Sequence, residues 1–128
     1  MAMIKSFREL EVYKLALAES KKIFVLTKSF PKDERFSLID QIRRSSRAVG
    51  AMIAEAWARR KYHAVFVNKI DEALGEATET QAWLDYTLSC EYLNREQYRE
   101  ADAAWQHIGA MLNKMIQQAE SFCRNASK

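Results

Sequence analysis

Apolar residues recur at three- and four-residue steps along nearly the whole chain, in four runs separated by short polar breaks. That spacing is the signature of amphipathic helices. The last run is the most regular. Tyr98, Ala101, Trp105, Ile108, Leu112, Met115, Ala119 and Phe122 form an unbroken heptad series, which predicts a helix over about 95–122. The second run, Leu38, Ile42, Val49, Ile53 and Ala56, predicts a helix over about 37–60. Gly50 lies inside it, at a cost of about 1 kcal/mol against alanine, so a neighbouring helix is expected to pack close there. The first run, Val12, Leu15, Ala16, Ile23 and Leu26, predicts a helix over about 10–29. Phe30-Pro31 ends it, because a residue before proline disfavours helical backbone. The third run, Phe66, Ile70, Ala73, Ala77, Leu84 and Leu88, predicts a helix over about 62–91. Asn94 is placed to cap the fourth.

Four rods with short connections pack as sequential antiparallel neighbours. The heptad spacing implies shallow left-handed crossings. The expected fold is therefore all-α, an antiparallel up-and-down left-handed four-helix bundle in one domain over 1–128. Three glycines and one proline in 128 residues leave little material for sheet turns. Hydrophobic residues make up 48% of the chain, more than one small core hides, and the surplus points to a protein–protein surface. Its candidates are Tyr13, Leu17 and Phe24 beside the first stripe and Trp83 and Tyr86 beside the third.

No apolar run approaches the ~20 residues of a membrane span, and no apolar segment follows the N-terminal lysine. The expected location is cytoplasmic, with no membrane partner. Cys90 and Cys123 fall near opposite bundle ends, roughly 40 Å apart at ~1.5 Å per residue. That is too far for a disulfide and is consistent with a reducing compartment.

Charge is unevenly spread. Residues 31–61 hold eight basic and four acidic side chains, a net +4, and residues 1–30 a net +3. Residues 62–93 hold one basic and six acidic, a net −5. Alternating helices would gather Lys5, Arg8, Arg59, Arg60, Lys61, Arg124 and Lys128 at one bundle end, beside Trp57, Tyr62 and His63. Cations hold phosphates and aromatic faces stack on unpaired bases, so Arg8, Arg59, Arg60, Lys61 and Arg124 are candidates for RNA binding. The plain alternative is a solvated end that aids solubility. Arg43, Arg44 and Arg47 make a second basic group. They face solvent, pair with Asp40, or meet the acidic third helix of a neighbouring copy through Asp71, Glu72, Glu79 or Asp85 in a head-to-tail assembly. Glu55 and Glu76 lie near small residues, where a carboxylate normally pairs with a cation across a helix or subunit boundary.

Catalytic patterns are missing from the sequence. His63 and His107 lack the Glu-x-x-His spacing of di-iron bundles. No glycine-rich loop or nucleophile elbow occurs. The expected protein is not an enzyme and holds no metal or cofactor.

Several segments, in order, resemble one family. They are Phe7-Arg-Glu-Leu10 with Val12-Tyr13, Phe30-Pro31-Lys-Asp-Glu34, and Leu38-Ile-Asp-Gln41-Ile42-Arg43-Arg44. Next come Ile53-Ala54-Glu55, then Ala73-Leu74-Gly75-Glu76 with Thr80-Gln81, and Glu91-Tyr92-Leu93. The chain is similar over residues 7 to about 122 to the bacterial four-helix-bundle proteins encoded in 23S rRNA intervening sequences. Met52 and Ala56 stand where that family's signature usually has asparagine and glycine. The resemblance implies a cyclic homopentamer. It also implies kinship with the accessory protein of diversity-generating retroelements, a basic pentamer that works with a reverse transcriptase and RNA. The combined expectation is a non-catalytic oligomer binding RNA or a nucleic-acid enzyme, with a purely structural scaffold as the alternative.

Overall fold

The computed structural model describes residues 3–124, and the regular elements among them are all helices. The four long helices are α1 (Glu11–Thr27), α2 (Leu38–Ala58), α3 (His63–Ser89) and α4 (Arg95–Gln117). A short α5 (Ala119–Cys123) follows. Single 3-10 turns at Phe7–Glu9 and Lys32–Glu34 complete the elements.

Contacts across the connections fix the topology. The α1–α2 and α3–α4 connections share one end, where the Tyr92 hydroxyl donates to Glu34 at 2.8 Å and packs beside Phe30. At the other end Phe66, from the start of α3, stacks on Phe122 of α5 with ring centroids 5.8 Å apart. Sequential helices therefore run antiparallel. Each connection has a local cause. Phe30 N–H bonds back to the Thr27 carbonyl just before Pro31, so α1 stops two residues before the expected Ser29. Asn94 caps α4 as its sequence suggests, its Oδ1 accepting from Gln97 N–H at 2.7 Å while Gln97 returns a bond. At the end of α3, Glu91 takes φ +61°. Glu91 N–H bonds to Leu88 O and Tyr92 N–H to Thr87 O, a left-handed helix stop that usually uses glycine.

The core joins Val49, Ile53 and Ala56 of α2 to Phe66, Ile70 and Leu84 of α3 and Trp105, Ile108 and Leu112 of α4, all at or near zero exposure. One polar layer crosses it. Ser45 and Thr80 hydroxyls meet at 2.8 Å, and each also donates, or can donate, to a carbonyl one turn back. Such pairs are tolerated because they are mutually satisfied.

Two expectations need correction. The buried line of α1 runs through Val12, Ala16, Glu19, Ile23 and Thr27; Leu15 and Leu26 are only half-buried. Glu19 interrupts the apolar stripe, bonded to Lys22 at 3.0 Å, and a groove of about 650 Å³ opens between α1 and α4 beside it. The fourth helix is not continuous to 122. It breaks at Gln118 (φ −105°, ψ 22°), although Ala119 stays buried and Phe122 still points inward. The heptad pattern survives the break, which is why periodicity alone runs through it.

Gly50 has no steric need to be glycine. A Cβ there would meet the Tyr13 ring at 3.6 Å, an ordinary contact. The neighbouring helix α1 approaches through the Tyr13 side chain, with no backbone within 4 Å. Gly50→Ala should therefore raise stability by about 0.5–1 kcal/mol through helix propensity, read as a higher urea midpoint with an unchanged slope.

Candidate nucleic-acid interface

The basic end is built from three pieces of chain that the topology brings together. The Phe7–Glu9 turn is held by a reciprocal cap between Ser6 and Glu9. It packs on α1 and α2, and Phe7 meets Tyr13 edge-to-face at 4.8 Å. This fixes Arg8, whose guanidinium lies 4.5 Å from the Phe7 centroid. The α2–α3 turn carries Arg59, Arg60 and Lys61. Arg60 is the most fixed. It lies 3.9 Å from the centroid of buried Trp57 and donates to the Trp57 carbonyl at 2.8 Å. Lys61 sits 5.1 Å from the ring of Tyr62, which is 53% exposed. Arg124 follows α5, which packs on α3 and α4. Lys128 lies outside the described residues. Burial raises the Cys123 thiol pKa first of all, Glu120 adds to this, and Arg60 opposes it.

Ion pairing distinguishes this end from the α2–α3 flank. Among the described residues, Lys5, Arg8, Arg59, Arg60, Lys61 and Arg124 have no carboxylate within 4.0 Å. Glu9 is occupied by the Lys5 and Ser6 N–H groups and Glu11 by Lys14. On the α2–α3 flank, by contrast, Lys69 pairs with Glu55 and Glu72 at 3.3 and 3.4 Å, and Arg44 with Glu79 at 3.1 Å.

The residues expected at an oligomer interface divide into two groups. Leu17 and Tyr86 are well exposed, at 58% and 59%. Tyr13 and Leu17 border a shallow groove of about 280 Å³ against Arg47, Gly50 and Ala54. Trp83 packs on Tyr86 at 5.6 Å, its indole N–H buried without an acceptor among the described residues. The remaining candidates are engaged inside the chain. Glu55 is bound to Lys69, and Glu76 lies 3.9 Å from Arg44. Arg43 donates to Thr27 Oγ1 at 2.8 Å and lies over Phe24, which Arg47 also approaches. Arg43 and Arg44 do not pair with Asp40 as the sequence allowed. Arg44 reaches across to α3 instead.

Two exposed apolar side chains escaped sequence reading. Phe36 is 86% exposed and Val25 53%. Both sit off the main stripes, where an apolar residue gives no periodic signal. Among the described residues no three His, Cys, Asp or Glu side chains gather to hold a metal ion, and no helix is long and apolar enough to cross a membrane.

Glu76 has its Oε1 buried without a partner. Burial, then neighbouring Glu79, raises its pKa, while Arg44 opposes them. A carboxylate raised on folding destabilises the protein at neutral pH, and that penalty fades as pH falls through the raised value. Glu76→Gln should stabilise the fold by about 1 kcal/mol at pH 7 and flatten stability between pH 7 and the ordinary carboxylate range. Arg44 keeps Glu79. Denaturant titrations at several pH values check this.

A solved relative has the same architecture. The crystal structure of a protein of unknown function from the S23 ribosomal protein family of Bacteroides thetaiotaomicron superposes with a TM-score of 0.75 at 34% identity, covering 83% of this chain and 95% of that one. No curated protein matches. The family model for 23S rRNA-intervening sequence proteins matches residues 8–114. That span includes most of the bundle, and the chain belongs to the family of 23S rRNA-intervening sequence proteins.

Proposed function

We propose that this protein is a non-catalytic helical module that assembles with copies of itself and binds RNA through the bundle end bearing Arg8, Arg59, Arg60, Lys61 and Arg124. The observation that carries the reading is the contrast in pairing. Arg44 and Lys69 on the α2–α3 flank are neutralised by carboxylates, whereas the cations at the end are held by aromatic rings or left in water. An arginine fixed on Trp57 keeps its outward N–H groups available to a phosphate, with less side-chain entropy to lose on binding. Exposed Tyr62 beside Lys61 supplies a face for an unpaired base.

Self-association draws its support from the apolar residues left in water. Leu17 and Val25 on α1 and the Trp83–Tyr86 pair on α3 lie on different surfaces, which suits a head-to-tail ring. The family resemblance supplies the number five. A ring would repeat the basic end and raise avidity for a long RNA.

Filter binding of a single-stranded RNA across a salt series tests the reading. Affinity should fall with a slope in log salt of roughly −0.7 per phosphate contact. Retention that is negligible at every salt concentration would leave the scaffold alternative, in which partners are proteins only.

A further inference from the structure

The opposite half of α2 carries a second basic concavity. Arg35, Phe36, Ile39, Arg43 and Arg47 line it, together with the carboxylate of Asp40 and the Glu79-paired Arg44, and its volume is about 530 Å³. It lies roughly 24 Å from Arg59, sixteen residues away along α2 at ~1.5 Å each. Three cations crowd the Phe24 ring beside it, with Lys28 4.8 Å, Arg43 4.7 Å and Arg47 5.4 Å from the centroid. Among the described residues none of these, nor Arg35, has a carboxylate within 4.0 Å. Converging like charges repel, and the ring returns only about 0.5–1 kcal/mol per cation at an exposed site. The arrangement is short of an anion. It is also preformed. Thr27 Oγ1, on a residue 2% exposed, accepts from Arg43 Nε at 2.8 Å and so holds the guanidinium in place. On the rim Phe36 lies 86% in water with the Arg35 guanidinium 5.6 Å from its ring. Packing does not explain an aromatic there.

We propose that this concavity is a nucleotide site, in which Arg43 and Arg47 hold a backbone phosphate of single-stranded RNA and Phe36 stacks on an unpaired base. The proposal rests on the RNA reading for the identity of its ligand, while its geometry is separate from the bundle end. The acidic α3 of a second copy is the competing occupant. Its carboxylates are largely engaged at home: Glu79 with Arg44, Glu72 with Lys69, and Asp85 with the Tyr98 hydroxyl at 2.6 Å. Protein carboxylates also give no use to an exposed ring, whereas a base does.

Fluorescence anisotropy with a labelled single-stranded oligouridine and a labelled RNA duplex tests it, on the full chain and on Phe36→Ala, Arg47→Gln and the bundle-end variant R59E/R60E/K61E. Neither groove variant removes a buried side chain. Phe36→Ala should weaken single-strand binding about fivefold or more and leave duplex binding within about twofold. Arg47→Gln should reduce the salt slope by roughly 0.7. If both groove variants bind like the unaltered chain while the bundle-end variant loses RNA, the groove proposal is wrong and the bundle-end reading stands. If the bundle-end variant binds normally while the groove variants lose RNA, the groove holds and the bundle-end reading fails. A change in oligomer mass on light scattering, with RNA binding per subunit unaltered, would assign the face to a second copy and overturn the proposal.

Discussion

R59E/R60E/K61E loses RNA affinity by roughly 10²-fold at about 0.1 M salt, and its remaining binding is less sensitive to salt. The magnitude follows from counterion release. Each phosphate contact to a single strand contributes a slope near −0.7 in log salt, so each is worth roughly fivefold at about 0.1 M. Three contacts multiply to about a hundredfold, and reversing the charges adds repulsion. Arg60 also packs on Trp57, so the triple variant tests folding as well as charge. Arg59 and Lys61 are both exposed. R59E/K61E spares the buried contact and should lose about 25-fold while unfolding at the same denaturant concentration as the unaltered chain. A loss in the triple variant that is absent in the double variant would trace to Arg60 alone, through its own phosphate contact or its packing on Trp57.

Trp105→Ala should lower folding stability by about 3–5 kcal/mol and the thermal midpoint by roughly 10–20 °C. Trp105 has no exposed surface and lies in the α4 stripe with Ile108 and Leu112. Its truncation leaves the largest void that any single change in this core can make. The indole N–H makes the prediction more specific, because it is buried with no acceptor among the described residues. An unpaired donor costs about 1–3 kcal/mol. Trp105→Phe removes that donor along with part of the ring, so it should cost only about 1 kcal/mol or less. Far-ultraviolet circular dichroism during urea unfolding measures both. Equal losses for Ala and Phe would mean that the N–H is satisfied in solution.

Much of this was readable from side-chain spacing. The α2 stripe is buried at every expected position, and so is the α4 series apart from half-buried Tyr98 and Phe122. Stripes of this kind dominate because burying them is the main favourable term in folding. Asn94 was readable because its chemistry is local. What escaped depends on partners distant in sequence or on backbone states with no residue marker. Glu91 takes the left-handed conformation that glycine usually marks, and no glycine or proline flags the break at Gln118. Glu19 sits in the buried line of α1 because Lys22 reaches it, a pairing that the apolar pattern does not mark. The acidic run of α3 suggested a partner for another copy, yet Arg44 and Lys69 consume much of it within the chain. The basic end was assembled from alternation of the helices, and its three pieces meet as that alternation requires. Which cations there lack carboxylates was beyond the reach of sequence, since pairing is decided by rotamers and neighbours.

Photo-crosslinking to an RNA carrying 4-thiouridine, followed by peptide mapping, asks most directly where RNA touches this protein. Adducts on the peptides holding Phe7–Arg8 and Trp57–Tyr62 are the predicted result. Adducts confined to the outer face of α3 or α4, or none at a concentration where filter binding retains RNA, would contradict it.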